Sequence, residues 1–184
     1  GHVMYTVARE NDLGANLRVG SYRDTGLARL WAGIINRKAP FMVDFSQYAP
    51  SGCPAAFIGA PVVDEKGELK GLVALQISTK DINVLTQENT GMGETGENYL
   101  VGQDFLMRSN SRLGTGADIL KSRVETDAAK RALRGETGEA ELVDYRGVQV
   151  LSCFSPLNLQ QTFGVDFDWA LISEMDVREE LAPV

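Results

Sequence analysis

The stretch from Thr79 to Arg112, TKDINVLTQENTGMGETGENYLVGQDFLMRSNSR, constrains the fold most, because glycines interrupt it where a helical pattern gives way to strands. Thr79–Glu88 is polar, with Ile82 and Leu85 three apart as on one face of a short helix. Gly91, Gly93 and Gly96 forbid its continuation. Asn98–Gly102 and Phe105–Ser109 are β-prone runs around the polar pair Gln103-Asp104, which predicts a hairpin opening a new unit. The chain of 184 residues is thereby divided into two β-rich halves.

Gly91–Gly96 also fits G-x-G-x-x-G, but the context is reversed for a dinucleotide site, with a polar helix before the glycines and a strand after them. GETGE recurs at Gly135–Glu139, again before a strand, so it reads as a turn that admits a strand.

In the first half, Met4–Ala8 reads as a strand begun upstream and Gly1-His2 as an expression remnant. Asp24 is placed to cap a helix whose face carries Leu27, Leu30, Trp31, Ile34 and Ile35, stopped before Pro40. Phe41–Phe45 predicts a strand and Ser46–Pro54 a loop. Ala55–Val63 and Leu69–Ile77 predict a hairpin turning at Asp64–Gly67. In the second half, Thr126 or Asp127 caps a helix through Ala128, Ala129, Ala132 and Leu133. Ala140–Tyr145 and Val148–Pro156 form a hairpin around Arg146-Gly147, Leu157–Asp166 is a polar loop, and Asp168–Met175 is the last strand. Asp176-Val-Arg-Glu179 fits a capping box starting an outgoing helix toward Leu181-Ala-Pro183.

The order of elements repeats, and Val43-Asp44-Phe45 matches Val143-Asp144-Tyr145, Pro61 matches Pro156, and Ala74-Leu75 matches Ala170-Leu171. Two degenerate copies of one α+β fold follow, the first lacking its opening strand.

A net charge of −7 disfavours nucleic acid and anionic membrane surfaces as partners. No apolar run approaches the ~20 residues of a membrane span, and no signal peptide is visible. The only histidine is His2, so Ser-His-Asp and Cys-His machinery is excluded and the chain reads as a non-enzyme without a cofactor. Zinc lacks ligands, and no calcium-loop pattern occurs. Cys153 reads as a buried strand thiol, and a bridge to Cys53 is left open.

Binding is easier to build. Arg108 and Arg112 suit a ligand carboxylate, or else solvate a loop or pair with Asp144. Asp44 and Asp144 each lie beside an aromatic, Phe45 and Tyr145, and grip a ligand ammonium or bond a neighbouring turn. Tyr22 and Tyr48 are pocket-wall or core residues. Candidate ligand residues are therefore Arg108, Arg112, Asp144 and Tyr145, then Tyr22, Asp44 and Tyr48.

The phrases LGANLRVGSYRDTGLARLW, VDFSQYAPSGCPAAFIGAPVV, GLVALQIS, GMGETGENYLVGQDFLMRSNSR, VDYRGVQVLSCFSPL and DWALISEMD resemble the periplasmic part of bacterial methyl-accepting chemotaxis proteins with double Cache sensor domains. The resemblance implies two tandem PAS-like (Cache) units, each a central antiparallel sheet with flanking helices. Residues 1–82 would be a partial membrane-distal unit, 83–96 a linker, and 97–184 a membrane-proximal unit ending in an outgoing helix. It implies an extracytoplasmic, periplasmic sensor of an inner-membrane receptor, homodimeric in the full receptor and joined to the membrane only through segments outside this chain. The ligand would be a small molecule such as an amino acid, organic acid or amine. The same module serves histidine kinases and cyclases; a non-binding spacer or dimerisation segment is a further alternative, and an enzyme built on a water-excluded carboxylate pair is the last. Tyr22-Arg23 and Trp31 do not fall into the distal amino-acid motif of such sensors.

Overall fold

Apolar spacing and a cap make helix α1, Gly26–Arg37, in the computed structural model, which describes residues 1–88 and 90–180. Thr25 caps it in place of Asp24: its hydroxyl accepts from Ala28 N at 3.3 Å and donates to the Tyr22 carbonyl at 2.7 Å. Lys38, in the left-handed region, closes the other end through its N–H on the Ile34 carbonyl. Leu27, Leu30 and Ile34 face the sheet and Ile35 faces out; complete burial of Leu30 and Ile34 is worth ~1.5–3 kcal/mol apiece. Gly33 lets helix and strand approach closely, since a β-carbon there would lie 2.3 Å from the Phe41 ring.

Strands β1 (Phe41–Tyr48), β2 (Cys53–Val63) and β3 (Leu69–Ser78) form an antiparallel sheet in that order. Val43, Phe57 and Gln76 lie in one row across it. The expected Ser46–Pro54 loop is shorter than the prolines suggested. Beyond a bulge at Val43/Ser46 the ladder resumes to Tyr48, so only a 3₁₀ turn, Ala49–Ser51, and left-handed Gly52 join the strands. Met4–Ala8 is not a strand: no sheet edge pairs with it, and Met4, Tyr5 and Val7 are exposed. The core is Leu17, Leu27, Ala28, Leu30, Ile34, Val43, Tyr48, Ala55 and Phe57. Residues 1–78 with 163–165 make up this unit, and residues 79–162 with 166–180 make up the other.

The second unit begins with helix α2 (Thr79–Thr86), whose expected apolar face is not buried: Leu85 is exposed and Thr86 is its buried residue. Its strands are β4 (Glu97–Gly102), β5 (Gly138–Val143), β6 (Gln149–Pro156) and β7 (Trp169–Asp176), antiparallel in the order β4-β7-β6-β5. Helix α3 (Asp127–Leu133), capped by Thr126, buries Ala128, Ala129 and Ala132 in a core with Tyr99, Val101, Met107, Val124, Phe154, Ala170 and Ile172. The expected second strand Phe105–Ser109 makes only single bridges, Met107 to Val101 and Leu106 to Arg123, because Phe105 turns the chain at φ +61. A short helix, α4 (Leu159–Phe163), replaces part of the expected Leu157–Asp166 loop.

Helix–hairpin–strand order is common to α1-β1-β2-β3 and α3-β5-β6-β7, but the matched tripeptides do not coincide in register. Val43 sits mid-strand opposite Phe57, whereas Val143 ends β5 opposite Gln149. Pro61 faces Leu72, whereas Pro156 faces Ala170.

Helix α5 (Val177–Glu180) follows β7, and the continuation toward Pro183 lies outside the described residues. The capping box does not close as expected. Asp176 N donates to Thr95 Oγ1 at 3.1 Å, and the Glu179 carboxylate accepts from Glu94 N at 2.6 Å, Thr95 N at 2.7 Å and the Thr95 hydroxyl. Cys153 is exposed, not buried, because Val150, Ser152 and Phe154 take the inward positions of β6; both cysteines are free thiols. Among the described residues no helix is long and apolar enough to cross a membrane.

Candidate functional site

In the first unit the Val43–Phe57–Gln76 row is bordered by polar groups from two loops and the end of β1. Tyr48, at the end of β1, packs edge-on to Phe57 at 4.9 Å and donates its hydroxyl to Asp12 Oδ2 at 2.5 Å. Burial, then the Asp12 hydrogen bond and charge, push the Tyr48 phenol well above its ordinary value, so it stays a donor. Gln76 Nε2 donates to Ser51 Oγ at 2.8 Å, and Ser51 donates to Glu10 Oε2 at 2.9 Å. Asp12 is buried, yet its Oδ1 has no hydrogen-bond partner among the described residues. A buried carboxylate oxygen without a donor is costly, and neither Asp12 nor Glu10 is paired with a cation among the described residues. The arrangement has acceptors to offer a ligand N–H.

In the second unit the equivalent inward face carries Glu97, Glu174 and Ser152 in one row, Glu97 and Glu174 being direct cross-strand partners. Tyr99 donates to Glu174 Oε2 at 2.7 Å and Ser152 to Oε1 at 3.0 Å. Tyr145 donates to Glu97 Oε1 at 2.8 Å; Ser111 Oγ is 2.5 Å from Glu97 Oε2 and 2.6 Å from the Tyr145 hydroxyl. Burial raises the Glu174 carboxyl above its ordinary range; the Tyr99 and Ser152 hydrogen bonds oppose this and the charges of Asp144 and Glu97 add to it. Beside this row an open cleft of about 750 Å³ is lined by Arg123, Glu125, Asp127, Glu141, Asp144 and Tyr145 among others.

Of the residues singled out from sequence, the second unit brings Asp144 and Tyr145 together at this cleft. The first unit puts Tyr48 at its polar cluster and packs half-buried Tyr22 against its core. The remaining three, Arg108, Arg112 and Asp44, and Asp144 as well, have partners within the chain. Arg108, only 3% exposed, folds under Gly102 to the Leu106 carbonyl at 2.9 Å and Asp104 at 3.0 Å. Arg112 spans the carbonyls of Gly93 and Gly96 at 3.0 and 2.6 Å. Asp144 accepts from Arg146 N at 2.8 Å and Val148 N at 2.9 Å and pairs with the Arg146 guanidinium at 2.5 Å, which also reaches Asp176. Asp44 accepts from Phe45 N at 2.6 Å within the β1 bulge. Sequence reasoning missed Asp12, Gln76 and Glu174, and the expectation from the glycines around Glu97, a solvated turn residue, is overturned because β4 begins at Glu97 and buries it opposite Glu174. For Glu174 the alternation along DWALISEM, which puts it on the face of Ala170 and Ile172, was an available signal.

No protein-family model and no curated protein sequence matches the chain. Solved structures share its fold. The periplasmic sensory domain of the Campylobacter jejuni chemoreceptor Tlp1 aligns with a TM-score of 0.63 at 14% identity over 94% of this chain and 61% of that one. The ligand-binding domain of the Pseudomonas aeruginosa amino acid chemoreceptor PctB, in complex with L-Arg, aligns at 0.54 and 16% identity, covering 84% and 62%. That of the Pseudomonas fluorescens chemoreceptor CtaA with L-leucine aligns at 0.52 and 15%, covering 83% and 60%. The chain thus has the fold of chemoreceptor sensor domains and spans about three fifths of their length.

Proposed function

We propose that this chain is the extracytoplasmic ligand-binding sensor region of a bacterial chemotaxis receptor. The observation that carries this is the fold shared with such domains over 94% of the chain. Its two units are tandem PAS-like (Cache) units, the first membrane-distal and the second membrane-proximal. Among the described residues no strand pairs with the outer edge of β3, whereas β4 covers the corresponding edge of β7; this supports a further strand on the distal sheet of the receptor. The region acts by binding, not catalysis, and the whole receptor is a homodimer in the inner membrane.

The ligand is a small amine-bearing metabolite of the amino-acid class. PctB and CtaA were solved with L-Arg and L-leucine, and the distal cluster offers the unpartnered Asp12 Oδ1 beside Glu10, Tyr48 and Gln76 for an ammonium group. Tyr22 is assigned to the wall of that site. Asp44 supports its strand, and Arg108, Arg112, Asp144 and Tyr145 form the proximal unit's binding-side framework. Binding shifts a two-state equilibrium by differential affinity. A thermal-shift screen against amino acids, organic acids and amines tests this: ligand at 100 times its Kd adds ~2.7 kcal/mol. Asp12→Asn is expected to abolish the shift while the variant stays folded. Absence of any saturable shift across the screen defeats the reading for this chain.

A further inference from the structure

We propose that the turn at residues 92–96 is a binding site for a small dicarboxylate, filled in this structure by the chain's own Glu179, and that such an acid displaces Glu179 and frees α5. Gly91 at φ +80 and Gly93 at φ +60 turn the backbone so that consecutive N–H groups face one anion, a nest. Glu94 N donates to Glu179 Oε1 at 2.6 Å and Thr95 N to Oε2 at 2.7 Å, and the Thr95 hydroxyl donates to Oε2 as well. That hydroxyl accepts from Asp176 N at 3.1 Å, so its single proton is committed to the carboxylate. A β-carbon on Gly93 would collide with Glu179 Oε1; glycine there leaves room for the anion.

The nest selects negative charge. The Thr95 hydroxyl, then the Glu94 and Thr95 N–H groups, and also the Arg112 charge, hold the Glu179 carboxyl below the usual glutamate range against the effect of burial. Its occupant has little else to keep it there. No side chain of α5 is buried, so this carboxylate, not apolar packing, ties the helix to the turn.

The second charge of the ligand is read from Arg112. Its guanidinium lies on the carbonyls of Gly93 at 3.0 Å and Gly96 at 2.6 Å, on either side of the two donating N–H groups, and it pairs with no carboxylate among the described residues. Glu179 fills the nest but leaves this cation without a counter-ion. A dicarboxylate meets both, one carboxylate taking the place of Glu179 and the other neutralising Arg112. That added contact is what lets a free acid compete with a tethered one, whose effective concentration is on the order of mM.

The site is independent of the amine ligand proposed above, and its test reads residues 94, 95 and 179 with no amine present. In ¹³C,¹⁵N-labelled chain, sodium succinate is added to about 50 mM at an ionic strength fixed with NaCl, and acetate is the single-carboxylate control. Succinate is expected to shift the Glu94 and Thr95 amides saturably, to move the Glu179 carboxyl carbon to the position of exposed glutamates, and to speed amide exchange in α5. Glu179→Ala removes the tethered competitor and is expected to lower the half-saturating succinate at least ~tenfold. Gly93→Ala on that background is expected to abolish the response. The proposal is overturned if the Glu94 and Thr95 amides of folded Glu179→Ala do not respond saturably, if Glu179 stays seated in the native chain at the highest succinate, or if acetate matches succinate. The native titration decides the last two outcomes even where the variants do not fold.

Discussion

Single side chains decide how this protein responds to pH. Glu174 has a raised carboxyl because burial penalises its charge. The folded chain therefore binds this proton more tightly than the unfolded chain. Its contribution is complete below the ordinary glutamate range near pH ~4.3 and is lost as pH rises through the raised folded value. Glu174→Gln keeps the shape and removes the charge, so the variant is expected to be the more stable of the two at pH above the raised folded value of Glu174, with the two converging below the ordinary glutamate range near pH ~4.3. Urea titrations at several pH values check this. The pair Glu97–Glu174 was hidden in the sequence because their adjacency is a property of strand register, which no local pattern of residues states. Asp12 was hidden for a related reason: a loop aspartate acquires a role only when Tyr48 is folded against it.

At the scale of elements, local rules carried most of the information. The i, i+3, i+4 face of α1 and the Asp64–Gly67 turn follow from spacing and chirality alone, and the structure has both. Met4–Ala8 satisfies β propensity as well as β1 does, yet it has no partner strand; propensity describes what a pleated surface accepts and not whether a sheet edge is there. The hairpin after β4 shows a tertiary constraint of another kind. A β-carbon on Gly102 would sit 2.3 Å from Arg108 Cζ, so the glycine is what admits the buried guanidinium beneath the turn. Gly102→Ala is expected to cost ~1–3 kcal/mol by overcrowding, and to be partly relieved in Gly102→Ala/Arg108→Ala, a non-additivity measurable in a double-mutant cycle.

The whole molecule has two hydrophobic cores, one built on Phe57, Leu30 and Ile34 and the other on Tyr99, Phe154 and Ile172. Phe57→Ala is expected to remove ~3–5 kcal/mol from the first core, and native-state hydrogen exchange should show loss of protection in β1–β3 with β4–β7 amides little changed. Equal loss in both sheets would mean that the cores unfold as one. The change of unit falls at Ser78/Thr79, where α2 follows β3 without an intervening loop, so the polar helix and the glycines after it belong to the second unit and no local sequence signal marks the boundary. The grip of Glu179 on Glu94 and Thr95 gives the second half a mechanical character. A load drawn along α5 does not end at the last strand. It is passed through one carboxylate to the turn at the root of β4, so the sheet is tugged at β7 and braced at β4 together, in shear across their shared ladder, as a drawstring tightens a seam from both hems.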